Sequence, residues 1–445
     1  MKLFHTTVFF IALHGLALGA LAQPGGDCLA QRFRPDFQPR DLEFGVDVAI
    51  SDEHLLIVDR FGGSLIYTFR RDPDTGDWAL NHTVPGGSGG DIVLDGDRFI
   101  SGDVQVDPAG GALIYEFVGG RWAMSAELSA GPDRSRTWGE HVAFVHGHAA
   151  IGNAGEDVLV FREGAEEWAF VEEIVSPDSE FERSDFGDAL AMDERFLIVG
   201  APGEDLTGNQ NGAVYIYEWD ADGRPALVQK LTPEPADVGP RLGTSLALQG
   251  NTLVVGARSL DTGGLENVGG AYVYRFEAGQ WVLEQELLPE PLRPVAEFGW
   301  DVALEDDVIA VGAVSDHAGS GFGVGAAHLY RRSVAGPWAH AATVAVDISA
   351  RDYGEAVDLG GGQLVVGCSE SFFMGEEHGL ADVYDLDCLL CAPDLDADGT
   401  LTIFDFLLFF NAFDDGSSEA DFDGDGELTI FDFLAFQTAF DAGCE

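Results

Sequence analysis

Phe186-Gly187-Asp188-Ala189-Leu190-Ala191 is followed by Phe196-Leu197-Ile198-Val199-Gly200-Ala201-Pro202 and then by Gly212-Ala213-Val214-Tyr215-Ile216-Tyr217. These short runs of β-branched and aromatic residues, broken by glycine and turn formers, read as strands. The unit recurs. Leu242-Gly243, Leu253-Val254-Val255-Gly256-Ala257, Gly270-Ala271-Tyr272-Val273-Tyr274 and a trailing Trp281 repeat it, as do Phe298-Gly299, Val311-Gly312-Ala313, Ala326-Ala327-His328-Leu329-Tyr330 and Trp338. Seven copies align on Gly45, Gly90, Gly139, Gly187, Gly243, Gly299 and Gly354, spaced 45, 49, 48, 56, 56 and 55 residues apart. That period suits one four-stranded blade per copy, and β-propellers hold roughly 4–8 blades. The expected fold is therefore mainly β, a seven-bladed β-propeller over residues 23–388.

Local chemistry agrees with this reading. Asp95-Gly96, Gly250-Asn251 and Gly360-Gly361-Gly362 fall between the first two strands of their units, where tight hairpins need positive φ. Glycine and alanine cluster where strands crowd toward the axis. Helix-period apolar patterns are absent until residue 401.

Phe-Gly followed by Val-Gly-Ala resembles the FG-GAP repeat, the unit of integrin α-chain propellers and of many bacterial surface proteins. The resemblance spans residues 41–385. Copies four to six carry it closely, whereas Val58-Asp59 stands in place of Val-Gly-Ala in the first copy and Gly90 lacks its aromatic neighbour. The Asp-x-Asp-x-Asp-Gly calcium loops of some integrin blades are absent from the propeller segment. The resemblance implies closure of the ring by a terminal strand. The seventh unit ends at Val383-Tyr384 without a fourth strand, and residues 29–40 are expected to supply it, with a Cys28–Cys388 disulfide pinning the seam. Cys368 is then expected as a buried, inert thiol.

A second pattern occupies the tail. Asp394, Asp396, Asp398, Thr400, Thr402 and Asp405 stand at positions 1, 3, 5, 7, 9 and 12 of a loop whose sixth position is Gly399. Asp421, Asp423, Asp425, Glu427, Thr429 and Asp432 repeat the pattern 27 residues later. Calcium is a hard cation that takes six to eight oxygens, and this spacing supplies them, position 7 through its backbone carbonyl. Two calcium ions are the expected cofactors. Without metal the carboxylates repel, so folding of the tail is expected to be coupled to calcium. Near-identical apolar stretches follow each loop, Ile403–Phe413 and Ile430–Phe440, and no helix pattern precedes either. Loop-then-helix, duplicated, is similar to a type I dockerin. Cys391 and Cys444 flank it as in short GC-type dockerin-like tails, which implies a Cys391–Cys444 disulfide. The expected second domain, 389–445, is thus a small helical dockerin-like module. The resemblance implies a cohesin-like or cell-envelope partner.

Composition bounds the rest. The chain has 445 residues, 46% of them hydrophobic, with 77 acidic against 23 basic side chains and a formal charge of −54. Such a surface repels phosphate backbones and anionic lipid, which argues against nucleic acid and membrane-surface partners. Lys2, the apolar run Val8–Leu21 and the small residues of Ala20-Leu21-Ala22 read as a signal peptide over 1–22, so export to the extracellular space or cell surface is expected. No later segment reads as a membrane span.

Catalytic signatures are missing. There is no His-Glu-x-x-His or phosphate-loop motif. Gly319–Gly325 has the wrong spacing for a dinucleotide loop. His146-Gly147-His148 reads as a polar turn rather than a metal pair, and Cys388-Leu389-Leu390-Cys391 as two structural cysteines. The most suggestive surface is the set of loops between second and third strands: Gly203–Asn211, Arg258–Gly269, Val314–Gly325 and Ser369–Gly379. Glu204, Asp205, Asp261, Asp316, Glu376 and Glu377 are expected to form a negative rim there for an extracellular protein or glycan, the alternative being plain solvated loops. The expected function is a secreted or surface interaction scaffold carried by a calcium-dependent tail. The alternative is an extracellular polysaccharide hydrolase or lyase, which would gather titratable groups in a concave pocket near the channel mouth.

Overall fold

The computed structural model describes residues 7–8, 28–34, 43–60, 64–86, 89–106, 109–131, 138–153, 157–177, 184–205, 210–233, 239–316, 323–332, 336–346, 350–373, 376–390, 395, 401–415, 420, 422 and 428–442. Seven sheets account for residues 29–385. Blades one to six are consecutive four-stranded meanders: 44–85, 89–129, 138–175, 189–231, 246–287 and 298–344. Blade seven is built from Ala356–Gly360, Gln363–Phe373 and Glu376–Asp385, and its fourth strand is Leu29–Phe33 from the other end of the chain. The ring closes by the terminal-strand exchange that the sequence implied. The two-residue strand Thr7–Val8 pairs with Gln31 and Arg32 on the outer edge of that strand.

The seam is held three ways. Cys28 and Cys388 are disulfide-bonded across a separation of 360 residues. Arg32 makes a two-pronged ion pair with fully buried Asp382, at 2.6 Å for Nε and for Nη2, and the Tyr353 hydroxyl donates to the same carboxylate. Gln31 donates to the Trp78 carbonyl and accepts from the Trp78 amide, both at 2.9 Å. This last device is general. Gln229 clamps Trp281 and Gln285 clamps Trp338 in the same way, so the fourth strand of one blade is latched to the next. The seam between first and last blades thus reuses an ordinary inter-blade latch.

Packing explains the repeat. The glycine of Val-Gly-Ala in one blade lies against the carbonyl of the Phe-Gly glycine in the next. A Cβ on Gly312 would sit 2.0 Å from the Gly354 oxygen, and one on Gly367 would sit 2.1 Å from the Gly45 oxygen across the seam. No side chain fits there, and Gly354 and Gly45 also hold φ of +87° and +83°. The aromatic before the second glycine is fully buried in Phe44, Phe186, Phe298 and Tyr353. Second strands are buried along their whole length in Phe196–Ala201 and Val308–Ala313, as expected for sheets covered on both faces. The turns at Gly96, Gly250, Gly361 and Gly362 adopt the expected positive φ. His146 and Gly147 form the hairpin turn between Val145 and His148, whose ring stacks on Trp219 at 4.6 Å. Cys368 is fully buried, and its thiol donates to the Arg351 carbonyl.

Two thirteen-residue helices follow the propeller, Ile403–Asp415 and Ile430–Ala442. Phe409 stacks on Phe436 with centroids 4.3 Å apart and planes 13° from parallel. These residues lie 27 positions apart, so the duplicated halves pack equivalent side chains on each other. Phe406 meets Phe436 and Phe440 edge-on at 5.0 and 4.8 Å. No helix among the described residues is long and apolar enough to cross a membrane.

Candidate functional site

The seven first strands converge on a cavity of about 500 Å³. It opens on the face that carries the loops between second and third strands, because Arg60 and Arg258, which begin two of those loops, line it. The residue after six of the seven unit glycines surrounds the mouth: Val46, Asp91, Asp188, Thr244, Trp300 and Glu355. One residue deeper lie Asp47, His141, Ser245 and Asp301.

The deep carboxylates are blade brackets. Asp47 accepts from Val48 in its own strand at 2.8 Å and from Ile92 of the next blade at 2.6 Å. Asp301 does the same with Val302 and Val357, at 2.9 and 2.8 Å. Asp358 bridges Leu359 and, across the seam, Ile50, at 2.9 and 2.8 Å. Each therefore spends both oxygens on backbone N–H groups that would otherwise be unsatisfied in the channel. Burial pushes the carboxyls of Asp301 and Asp358 up to about 7, and burial together with Asp91 raises that of Asp47 well above the usual range.

His141 spans three blades. Its Nδ1 lies 3.0 Å from Asp91 Oδ2 and its Nε2 lies 3.4 Å from Asp188 Oδ1. Burial alone would lower this imidazole, but the two carboxylates outweigh it and raise the pKa to about 10. His141 is thus a standing cation at neutral pH and cannot act as a general base there. Arg258 stacks on the Trp300 ring at 4.5 Å, a cation–π contact at the rim. The concave pocket expected of an enzyme is present, but its perturbed groups are taken up in holding the ring together.

The predicted rim separates into different environments. Glu204 and Asp316 are buried, not rim residues. Both occupy the fourth position after the Val-Gly-Ala glycine, where the loop turns inward and plugs the blade; Val106 and Leu260 fill that position in blades two and five. Glu204 is paired with Lys230 and accepts from Tyr215 at 2.5 Å. Asp316 is held by His328 at 2.9 Å and Arg293 at 3.4 Å. Sequence reading took loop membership for exposure. The one sequence signal for the plug position was the hydrophobic residue at the same offset in blades two and five, Val106 and Leu260. Asp205 is half-buried, and Asp261 is exposed and caps the Asn267 amide at 2.8 Å. Ser369–Gly379 is not a loop of the expected kind, because the strands Gln363–Phe373 and Glu376–Asp385 extend into it. The side chains of Glu376 and Glu377 fall outside the described residues, as does most of Gly319–Gly325.

In the tail, the described part of each calcium pattern is its end. Asp405 and Asp432 are fully buried. The Thr402 and Thr429 amides donate to their Oδ2 atoms at 2.7 and 2.6 Å, and the threonine hydroxyls accept from Phe404 and Phe431, each at 3.1 Å. Positions 9 and 12 thus form a reciprocal capping box at each helix start, which sequence reading had missed. The two buried carboxylates thus hold equivalent places at the starts of the two helices. Asp394, Asp396, Asp398, Thr400, Asp421, Asp423, Asp425 and Glu427 lie outside the described residues, as do Cys391 and Cys444. Among the described residues no group of three or more His, Cys, Asp or Glu side chains forms a metal cluster.

Residues 168–217, 226–274 and 281–330 match the FG-GAP repeat. The chain therefore carries FG-GAP repeats within a seven-bladed β-propeller. Each match begins on the fourth strand of one blade and ends on the third strand of the next. No curated protein matches the chain. Among solved structures, the crystal structure of the Saccharomyces cerevisiae Sqt1 is similar at 10% identity, covering 76% of this chain and 83% of that one with a TM-score of 0.46.

Proposed function

We propose that this protein is an exported interaction scaffold, a rigid propeller that presents its loop face to an extracellular protein or glycan while the tail attaches the molecule through a calcium-dependent contact. The observation that carries the reading is the closed FG-GAP propeller itself, whose titratable channel groups serve to lock blades together. The tail adds support. Ile403, Phe404 and Leu407 and their counterparts Ile430, Phe431 and Leu434, 27 residues on, are all 49–66% exposed. Such apolar groups on a module this small mark a surface meant to be covered. Asp394, Asp396, Asp398, Thr400, Thr402 and Asp405, with the equivalent set at 421–432, would hold the two ions, and their charge would order the helices behind them.

The test uses full-length protein immobilised against secreted and envelope proteins from the same cells, with calcium or with chelator, alongside Asp394→Ala/Asp421→Ala. The proposal expects one captured partner that is lost on chelation and in the double variant. Capture that ignores both perturbations would overturn the role of the tail.

A further inference from the structure

We propose that the channel mouth is a binding site for a neutral, hydroxyl-rich ligand, a sugar ring seated on Trp300 and hydrogen-bonded by Asp91, Asp188 and Glu355. This site is independent of whatever the tail holds. The cavity, about 500 Å³, lies within the roughly 300–1,000 Å³ typical of small-ligand pockets. Its upper ring keeps solvent-facing carboxylate surface, although both His141 nitrogens face Asp91 and Asp188. The side chains of Asp91, Asp188 and His141 keep 43%, 34% and 26% of their surface exposed although each sits in the convergent centre of the ring.

The chemistry of the walls selects the ligand. An anion would meet Asp91, Asp188 and Glu355 on a chain already strongly negative. A cation finds no open carboxylate cluster, because Asp47, Asp301 and Asp358 have both oxygens on backbone amides and Asp91 and Asp188 already face His141. Arg60 and Arg258 add positive charge at the rim. An apolar ligand would strand these polar groups without water, at a cost of several hydrogen bonds. A hydroxyl both donates and accepts. It can use the second lone pairs of the carboxylates and the outward N–H groups of the arginines without bringing charge. Trp300 supplies the one broad aromatic surface among the lining residues; Arg258 already covers one face of its indole, so the C–H face of the pyranose would take the other.

The experiment is ligand-observed saturation-transfer NMR on the full-length, calcium-saturated protein with cellobiose, maltose, lactose and xylobiose at millimolar concentration. Glucuronate and glucosamine serve as anionic and cationic probes. At least one neutral disaccharide is expected to bind, glucuronate is not, and Trp300→Ala is expected to weaken binding about tenfold or more. Trp300→Phe, which keeps a ring, should retain most of the affinity and guards against misfolding as the explanation. Absence of signal for all four disaccharides, binding unchanged in Trp300→Ala, or glucosamine binding more tightly than the neutral sugars would each overturn the proposal. Loss of partner capture by the tail variants would not touch it.

Discussion

Breaking the seam with Cys28→Ser/Cys388→Ser should weaken the propeller by an amount the topology sets. The disulfide closes a segment of 360 residues. On the chain-entropy account, a loop of that length removes about 20 cal/mol/K from the unfolded ensemble, or about 6 kcal/mol at 25 °C. Unfolding entropy near 2.1 cal/mol/K per residue, taken over the propeller, comes to about 0.8 kcal/mol/K, so the full effect would lower the melting midpoint by about 8 °C. Arg32–Asp382 and the Gln31–Trp78 latch still hold the strand in the variant and do not alter that difference. Native strain and residual structure in the unfolded chain commonly trim such values, so a drop of about 4–8 °C is expected. Tryptophan fluorescence during heating reads the propeller, since the described tail contains none of this residue. A shift under about 1 °C would refute the reasoning and assign ring closure to strand pairing alone.

Glu204→Ala should destabilise by about 3–5 kcal/mol, because it leaves the Lys230 ammonium facing an emptied site, whereas Glu204→Leu/Lys230→Met, which copies the apolar plug Leu260, should lie near wild type; urea unfolding midpoints distinguish them. Gln285→Ala should cost about 1–3 kcal/mol in the same assay, since it orphans the amide and carbonyl of Trp338. Asp301 and Asp358 have folded pKa values raised to about 7 from the ordinary carboxylate value of 3.8, so the stability they contribute is full below about pH 4 and is lost as pH rises through 7. The melting midpoint should accordingly fall between pH 5 and pH 8, and Asp301→Asn should flatten that slope. His141, raised to about 10, contributes below about pH 6.5 and loses its contribution only as pH climbs through 10, so its imidazole signals in NMR should stay those of the charged ring through pH 9. Chelating calcium should melt Ile403–Asp415 and Ile430–Ala442, seen as a loss of helical circular dichroism with the propeller midpoint unchanged.

The architecture was legible because its constraints are local and repeated. A glycine that must touch a neighbouring blade's backbone leaves no room for a Cβ, and seven such glycines 45 to 56 residues apart announce a ring. The missing fourth strand after Tyr384 likewise pointed to residues 29–40, since propellers close when one terminus completes the last blade, and Leu29–Phe33 supplies it. The latches were harder to see. Gln31, Gln229 and Gln285 look like ordinary outward-facing residues of edge strands, and only the approach of Trp78, Trp281 and Trp338 makes them clamps.

Side-chain environment at the mouth was not legible at all. Glu204 and Asp205 are adjacent in sequence, yet the first is buried against Lys230 and the second is half-buried beside the loop. Asp91, His141 and Asp188 lie on three different blades, one or two residues after their unit glycines; the repeat brings them to the mouth, but only the closed ring shows that they pair. Amino-acid order by itself determined the strand pattern, the blade count and the spacing of the acidic residues in the tail, because each depends on residues near one another in the chain. Closure of the ring alone decided which carboxylates are brackets, which are plugs and which face the cavity, since that depends on what the neighbouring blades bring within hydrogen-bonding distance.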